Sequence, residues 1–396
     1  MGRERINAVT TSFFGKGSIG LLPGELKKRG YRRGLIVTDR FLFEHQAADR
    51  VGEQILAAGA EYAVFYLVQP NPTIQVVNDC IQAAKALEVD FLVAVGGGSA
   101  IDTAKAVSIV IANGGRVEDY EGVDLSARPG LPIVAVNTTA GTGSEVTSFY
   151  IVTNPATHSK MCIMDTNCMV SIAINDVDFM MTMPPGLTAS TGMDAMTHAV
   201  EALLSVRATP LTDKDAMWAI RVIKDYLPAA VKDGQDVKAR EMMAYAEYTA
   251  GMAFSNAGLG IVHAMAHALG GHFNLPHGIC NSVLLPYGMK FNGKSPNASG
   301  RFQLMAEALE LPGAAKMADR QAAEACVNYI RGLSKSLGMP QTLKELKGVD
   351  PEKFGDLADL AVKDFCMGDN PVRAEREQVI EVYGEAWTGG GRFGRS

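Results

Sequence analysis

Histidines concentrated in one part of the chain are the residues best suited to chemistry. Four of the seven lie within fifteen residues of one another: His263, His267, His272 and His277. A fifth, His198, follows Asp194 by four residues, so both side chains share one face of the helix predicted over residues 187–204. A carboxylate and several imidazoles converging from separate elements predict a site for a divalent metal ion.

The spacing of the clustered histidines distinguishes their predicted roles. His263 and His267 share one face of a helix predicted over residues 261–271, whereas His277 is predicted in a turn because it lies between a proline and a glycine. The pair lacks the glutamate of an H-E-x-x-H motif, so it is not a metalloprotease signature. We expect His272 at the surface or at the rim of the pocket. Each histidine alone is more often a hydrogen-bonded core residue than a ligand, but the set favours a metal site.

Two glycine-rich segments compete for the phosphates of a bound nucleotide. Residues 15–20 form a literal G-x-G-x-x-G, and Asp39 follows 19 residues later, as in a dinucleotide fingerprint. However, Pro23 and Gly24 disfavour a helix directly after this segment. A tight turn between edge strands is therefore the alternative interpretation.

The second segment, residues 96–99 (GGGS), is better suited to a phosphate. It lies between a strand predicted over residues 91–95 and a helix predicted to begin near Ile101. Glycines allow the backbone to approach a pyrophosphate, and the helix N-terminus supplies N–H groups and a positive dipole end. Ser99 is expected to cap that helix. Asp102, in its first turn, either stabilises the helix dipole or contacts the ligand.

These segments follow strands of a predicted parallel sheet. Short apolar runs alternate with segments of helical periodicity, a pattern typical of parallel strands with crossover helices. The strands are predicted at residues 34–39, 63–68, 91–95 and 132–137, and the helices at residues 47–58, 73–87 and 101–112. A hydroxyl-rich cluster at residues 137–145 follows the last strand and suits the oxygens of ribose and phosphate.

The strand pattern stops near Pro184. Beyond it the chain is rich in helix-forming residues, with helices predicted at residues 187–204, 212–226, 239–254, 261–271, 297–309 and 314–337. We therefore predict an α/β domain at residues 1–184 and a helical domain at residues 185–396.

Composition excludes several classes of protein. The 396 residues are 47% hydrophobic and carry a formal net charge of −6, which is typical of a globular protein and disfavours nucleic-acid binding. No apolar run is long enough to span a membrane, and no signal-peptide pattern follows the charged first residues. The six cysteines include no C-x-x-C pair, so we expect free thiols in the reducing cytoplasm.

Two longer segments resemble a known family. Residues 173–201 and 260–280 are similar to the two signatures of the iron-containing, or group III, alcohol dehydrogenases. The resemblance also covers residues 70–73, 96–99, 138–145 and 366–387, and so spans nearly the whole chain. It implies a Rossmann-like α/β N-terminal domain, an all-α metal-binding C-terminal domain of the dehydroquinate synthase-like fold, and a coenzyme cleft between them.

The resemblance also implies ligands. It places Fe²⁺ on Asp194, His198, His263 and His277, although three imidazoles and a carboxylate also suit Zn²⁺. It places the adenosine end of NAD(H) at Asp39 and Asn71. The pyrophosphate falls on Gly97, Gly98 and Ser99 rather than on residues 15–20. The nicotinamide half is lined by Thr138, Thr139, Thr142, Thr147 and Lys160.

The remaining predicted site residues relay the proton or border the substrate. In the family, the residue matching His267 lies beside the nicotinamide, where we expect it to relay the proton; packing beside the metal helix is the alternative. Phe149, Phe254 and Cys366 match positions that border the substrate pocket. Two residues depart from the pattern: Phe149 lies where lactaldehyde reductases have a smaller polar residue, and His272 lies where an apolar or small residue is common.

The activity implied is NAD(H)-linked interconversion of short-chain alcohols or diols with aldehydes. The motifs are most similar to those of the lactaldehyde reductases, which act on propane-1,2-diol. Enzymes of the family that act on propane-1,3-diol, on methanol or ethanol, or on sulfoacetaldehyde are the alternatives. A lyase of the dehydroquinate synthase type and a non-catalytic metal or nucleotide sensor are remote alternatives. The resemblance also implies a homodimer or a larger homo-oligomer.

Overall fold

The computed structural model describes residues 5–157 and 159–390, and residues 1–4, 158 and 391–396 lie outside it. The chain packs into two units, Met1–Thr182 and Met183–Ser396.

The first unit is built on a parallel sheet. Its strands are β1 (Thr11–Phe14), β2 (Arg33–Asp39), β3 (Glu61–Val68), β4 (Phe91–Gly96), β5 (Gly122–Val123), β6 (Ile133–Asn137), β7 (Phe149–Asn154), β8 (Ser159–Met164) and β9 (Ile172–Asn175). Its helices are α1 (Leu22–Arg29), α2 (Arg40–Glu44), α3 (Ala47–Ala57), α4 (Ile74–Ala86) and α5 (Gly98–Asn113). Among the described residues, six strands pair in parallel in the order β1-β9-β6-β4-β2-β3, and β5, β8 and β7 form a second sheet.

Alternate residues of the central strands face two separate apolar cores. On β4, Phe91, Val93 and Val95 pack with α1 and α3, whereas Leu92 and Ala94 pack with α4 and α5. Burial on both faces explains why these strands are continuous apolar runs in the sequence rather than alternating ones. The sheet is thus fixed between two helical layers.

The direction in which successive strands are added to the sheet reverses between β2 and β4. From β2 the chain passes outward to β3, and then returns to place β4 on the other side of β2. Ligands of open parallel sheets bind outside the carboxyl ends of the strands at such a reversal. Asp39 ends β2 and Gly96 ends β4, so the topology predicts that a ligand binds near these two residues.

The literal G-x-G-x-x-G segment forms a different structure. The backbone N–H groups of Gly17 and Ile19 donate to the carboxylate of Asp176, at 3.1 and 3.0 Å. Helix α1 follows almost at once, with Pro23 in its first turn, where a missing N–H is harmless. The expectation that Pro23 and Gly24 disfavour a helix here is wrong, whereas the interpretation as a turn agrees with the hydrogen bonds.

All of the secondary structure described in the second unit is helical, and loops join the helices. Its helices are α6 (Pro185–Leu204), α7 (Pro210–Lys232), α8 (Val237–Ala257), α9 (Ile261–Phe273), α10 (His277–Asn292), α11 (Arg301–Ala308), α12 (Asp319–Ser336), α13 (Phe354–Ala361) and α14 (Arg376–Thr388). Together with the parallel sheet of the first unit, this confirms the predicted fold class. The turn predicted at His277 is wrong, because His277 is the first residue of α10 and Pro276 precedes it as the N-cap.

Helix α6 is the centre of this unit and is buried along most of its length. Two glycines allow its neighbours to come close. A Cβ atom on Gly192 would lie 2.2 Å from Leu227 of α7, and one on Gly278 of α10 would lie 2.4 Å from the carbonyl oxygen of Ser190. A side chain at Gly278 would meet the backbone of α6, and one at Gly192 would displace the side chain of Leu227.

Among the helices of residues 5–157 and 159–390, none is both long enough and apolar enough to cross a membrane.

The contacts of Asp176 predict that residues 15–20 are structural. Replacing Asp176 with Ala leaves the N–H groups of Gly17 and Ile19 without their acceptor, which should lower the free energy of unfolding by about 1–3 kcal/mol. The dissociation constant for NADH should not change. Chemical denaturation and NADH fluorescence titration measure the two quantities.

Asp178→Ala is the matched control, because it removes only a partly exposed ion pair with Lys16 and should cost less than about 1 kcal/mol. A folded Asp176→Ala protein with much weaker NADH binding would contradict the structural role.

Candidate metal centre and coenzyme loops

Four side chains on three helices of the second unit bring their ligand atoms together. Asp194 and His198 lie one turn apart on α6, His263 lies in the first turn of α9, and His277 begins α10. One ligand atom from each lies within 4.8 Å of all the others. All but His277 are buried. The structure therefore brings together the four residues that the sequence places at the metal.

A buried carboxylate orients one of these ligands. Glu201 lies on α6, one turn after His198, and its Oε2 atom is 2.6 Å from Nδ1 of His263. Burial raises the pKa of Glu201 to about 7, although backbone N–H groups that donate to it oppose the shift. Burial lowers the pKa of His263 well below its usual value, which favours the neutral ring that a metal ligand requires.

Asn281 is a member of the site that the sequence analysis missed. Its Nδ2 atom lies 2.6 Å from Oδ1 of Asp194 and 3.0 Å from Nε2 of both His263 and His277. Asn281 follows His277 by four residues, one turn along α10. The signal was present in that spacing, but it is useful only once α10 is known to begin at His277.

The contacts of Asn281 test whether a cation fits here. An amide NH₂ group is positively polarised, and three of the four proposed ligand atoms lie within 3.0 Å of its nitrogen, although it has only two hydrogens to donate. Three imidazole nitrogens and one carboxylate oxygen are a donor set that suits Fe²⁺ or Zn²⁺. The residues present therefore fit a divalent metal ion.

A second polar cluster adjoins the first. Nδ1 of His267 lies 2.9 Å from Oδ2 of Asp364, and the other oxygen of Asp364 accepts the backbone N–H of Cys366 at 2.8 Å. Burial favours a higher pKa for Asp364, but the charge of His267 and these hydrogen bonds hold it below its usual value. The ring of His267 stacks on that of His277, with centroids 5.3 Å apart. His267 is thus held beside the four ligands.

Two of the three residues predicted to border the substrate lie at this centre. Phe254 stacks on His198, with ring centroids 4.2 Å apart, and Cys366 is buried beside Asp364. Phe149 is on β7 of the first unit, where its carbonyl oxygen accepts from Lys105. His272 is exposed near the end of α9, in agreement with the sequence prediction.

In the first unit, residues 96–99 form a close turn from β4 into α5. Gly97 is the N-cap of α5, and no side chain caps the helix. A Cβ atom on Gly97 would lie 2.7 Å from Oγ1 of Thr139, so only glycine allows the loop after β6 to pack here. Uncapped N–H groups at the start of a helix attract an anion. Ser99 is the second residue of α5, so the expectation that it caps the helix is wrong.

Asp102 and Lys105, on α5, hold the loop that carries several predicted coenzyme residues. Asp102 accepts the hydroxyl of Ser144 at 2.6 Å and the backbone N–H of Ile151 at 3.0 Å. The fully buried Lys105 donates to the carbonyl oxygens of Thr147 and Phe149, at 2.8 and 2.7 Å. Burial raises the pKa of Asp102 and lowers that of Lys105. Lys105 was missed because an isolated lysine in a helix reads as exposed.

The two residues predicted at the adenosine end follow neighbouring strands. Asp39 ends β2, and its Oδ1 atom accepts the N–H of Leu42, which makes Asp39 the N-cap of α2. Asn71 follows β3 with a positive φ of 55°, a backbone conformation that asparagine tolerates better than most residues. Because β2 and β3 are parallel, both residues lie at the carboxyl ends of the strands, on the same side of the sheet.

The other predicted coenzyme residues lie on two segments of the same unit. Lys160 is on β8, opposite Thr153 of β7. The threonines lie on the loop between β6 and β7, and they are Thr138, Thr139, Thr142 and Thr147.

Comparisons with known proteins agree with this geometry. A model of the iron-containing alcohol dehydrogenases matches residues 10–177, and one of the C-terminal part of the Fe-containing alcohol dehydrogenase family matches residues 188–387. Alcohol dehydrogenase 4 of Saccharomyces cerevisiae is 42% identical, covering 95% of this chain and 96% of that protein. Lactaldehyde reductase of Escherichia coli K12 is 39% identical, covering 95% and 98%.

A crystal structure of 1,3-propanediol oxidoreductase is also similar, with a TM-score of 0.93, 39% identity and coverage of 98% of this chain and 100% of that one. These three proteins have different substrates in their names at nearly equal identity. Identity therefore does not select a substrate.

The ligand cluster predicts that metal binding depends on His263 and not on the exposed histidine of the same helix. His263→Ala removes one of four donor atoms and should abolish most of the bound metal. His272→Ala should retain it, because His272 is solvent-exposed. Metal content after reconstitution with Fe²⁺ under anaerobic conditions, measured by atomic spectroscopy, provides the test. Full metal content in a His263→Ala protein would contradict the ligand assignment.

Proposed function

The chain belongs to the iron-containing alcohol dehydrogenase family, and we propose that it interconverts short-chain alcohols or diols with aldehydes, using NAD(H). Lactaldehyde and propane-1,2-diol are the first substrate pair in this proposal. The observation that carries it is the cluster of Asp194, His198, His263 and His277, whose ligand atoms lie within 4.8 Å of one another. Propane-1,3-diol, methanol or ethanol, and sulfoacetaldehyde remain the alternative substrates.

The proposed chemistry divides between the bound groups and the chain. When bound, the metal ion supplies Lewis acidity toward the alcohol or aldehyde oxygen, and NAD(H) supplies or accepts the hydride. The residues of the chain fix the positions of these groups. Fe²⁺ is the metal that the family name indicates, and the same four donors also suit Zn²⁺.

His267 is the proposed proton carrier. Its Nδ1 atom is hydrogen-bonded to Asp364, which fixes the ring and leaves Nε2 to exchange a proton with the substrate or a water molecule. It lies one turn beyond His263 on α9 and stacks on His277. This position beside the ligands supports a role in the reaction rather than packing alone.

The aromatic and thiol groups at the centre favour small substrates. Phe254 covers one face of His198, and Cys366 is buried in the cluster with His267. A metal centre bordered by an aromatic ring has little space, and the ring favours short apolar groups. We therefore propose substrates of about two to four carbons, with Phe149 contributing to the pocket as the family resemblance implies.

A substrate panel tests the proposed function. The Fe²⁺-reconstituted protein should oxidise NADH with lactaldehyde and with other aldehydes of about two to four carbons, and much less with long-chain aldehydes, because an aromatic ring borders the metal centre. The panel should include 3-hydroxypropanal, formaldehyde, acetaldehyde and sulfoacetaldehyde. His267→Ala, with its metal retained, should lose most of the turnover with every aldehyde.

Two variants test which phenylalanine limits the length of the substrate. Phe254→Ala and Phe149→Ala should each improve turnover of longer alcohols if their rings border the substrate. Melting temperatures measured on the same proteins identify unfolding, because truncating a core phenylalanine costs roughly 3–5 kcal/mol. Unchanged chain-length preference in a folded variant removes that residue from the site. Absence of NADH oxidation with the whole panel would contradict the proposed function.

Coenzyme choice is proposed to depend on Asp39. A carboxylate at the end of this strand accepts hydrogen bonds from the 2′-hydroxyl of the adenine ribose and repels the 2′-phosphate of NADP. Asp39→Gly should therefore raise the ratio of kcat/KM for NADPH to that for NADH. Asp49→Gly, in the first turn of α3, is a control for loss of one negative charge in the same unit. Equal use of both coenzymes by the unaltered protein would contradict the proposal.

The chain is also proposed to form a homodimer or a larger homo-oligomer. Helix α7 and the turn before it expose the apolar side chains of Val206, Leu211 and Trp218, which supports self-association. Sedimentation equilibrium measures the molecular mass in solution.

A further inference from the structure

Helix α9, which carries His263, begins without a cap of its own. Gly260 is its N-cap and has no side chain. The N–H groups of Val262 and His263 donate instead to the two carboxylate oxygens of Glu201, at 2.7 and 3.2 Å, and that of Ile261 donates to the side chain of Asn370 at 3.1 Å. A Cβ atom on Gly260 would lie 2.9 Å from Oε1 of Glu201. The glycine is what allows this carboxylate to reach the helix.

The same carboxylate determines which nitrogen of His263 carries the proton. The Oε2 atom of Glu201 lies 2.6 Å from Nδ1, and the other ring nitrogen, Nε2, lies 3.0 Å from the amide nitrogen of Asn281. The carboxylate oxygen Oε2 also accepts the backbone N–H of His263, so it is an acceptor, and Nδ1 donates to it and carries the proton. The lone pair of Nε2 is therefore turned toward the site before any metal binds.

Glu201 also joins the two helices that carry most of the ligands. It follows Asp194 by seven residues and His198 by three, so all three side chains lie on one face of α6. One carboxylate thus connects the helix of Asp194 and His198 to the first turn of α9. Nearly all of its surface is buried, at 2% exposure, so water does not compete for these contacts.

We propose that Glu201 is a positioning residue of the metal centre, which fixes the tautomer and the place of His263 and thereby sets the affinity for the metal. The proposal rests on the metal site of the proposed function. Carboxylates that hold the far nitrogen of a metal-bound histidine commonly have this effect. No contact between Glu201 and substrate or coenzyme is required.

Glu201→Gln tests the proposal with little change in volume. If the amide oxygen keeps the N–H of Val262, the amide NH₂ group faces Nδ1 of His263, which must then accept. The proton moves to Nε2, the atom that should bind the metal. Titration of the metal-free protein with Co²⁺ against a competing chelator should show affinity weakened by about 10- to 100-fold.

Asp176→Asn is the matched control. Its carboxylate is also buried and also accepts two backbone N–H groups, those of Gly17 and Ile19, but it lies in the first unit and is not among the candidate metal ligands. Its affinity for Co²⁺ should equal that of the wild type. Thermal melts of the metal-free proteins establish that both variants are folded.

The outcomes separate this role from the metal site itself. Wild-type affinity in a folded Glu201→Gln protein, or an equal loss in Asp176→Asn, overturns the role of Glu201 alone. Failure of the wild type to bind Co²⁺ overturns the metal site as well. If Glu201→Gln does not fold, nitrogen NMR of ¹⁵N-histidine-labelled, metal-free wild type decides the question. His263, assigned with His263→Ala, should carry its proton on Nδ1, and a proton on Nε2 overturns the proposal.

Discussion

The burial of helix α6 is the constraint on which the second unit depends. A helix enclosed on nearly every side cannot shift without disturbing each neighbour, since protein interiors are as densely packed as organic crystals. Gly192 and Gly278 bring α7 and α10 against it at distances that admit no further atom. Asp194 and the start of α10 are thereby held together by packing. The ligand geometry follows from the core rather than from the metal.

The first unit holds its loops in another way. Its polar segments are anchored by buried polar side chains, above all by Lys105, whose donors reach main-chain carbonyl oxygens at the start of β7. Asp102 fixes the same region through Ser144 and Ile151. Such networks stabilise one conformation when every member is satisfied, and they are costly when one partner is missing. Hydrogen bonds therefore hold the proposed coenzyme loops, whereas apolar packing and the buried contacts of Glu201 together hold the proposed metal centre.

Much of this arrangement could be predicted from the sequence, and the omissions have physical causes. The central strands are continuous apolar runs and the long helices have strong periodicity, and their predicted bounds lie close to those observed. Helix α10 was missed because its first turn contains a glycine and its interior contains Pro286, both of which usually mark a break. Helix α1 was missed because Pro23 was taken as a breaker, although the first turn tolerates it.

The four proposed ligands could be grouped from spacing and resemblance, but their supports could not. In the sequence, Glu201 cannot be told from a surface glutamate. Its buried partner is the first turn of α9, which is distant in sequence. Asn281 becomes recognisable only when α10 is known. Residues that act on other residues depend on tertiary contacts, and a single sequence does not contain those directly.

The carboxylate of Asp39 has a structural role and a proposed role in coenzyme choice, and selection can act on each of them separately. Its carboxylate begins helix α2, and the same carboxylate is proposed to discriminate between coenzymes. A lineage that changed its coenzyme by losing this side chain would also lose a helix cap, at a cost of roughly 0.5–2 kcal/mol. Serine or asparagine would remove the charge and keep an acceptor for the N–H of Leu42. Evolution of coenzyme preference at this position is thus biased toward a few residue types by the helix that begins there.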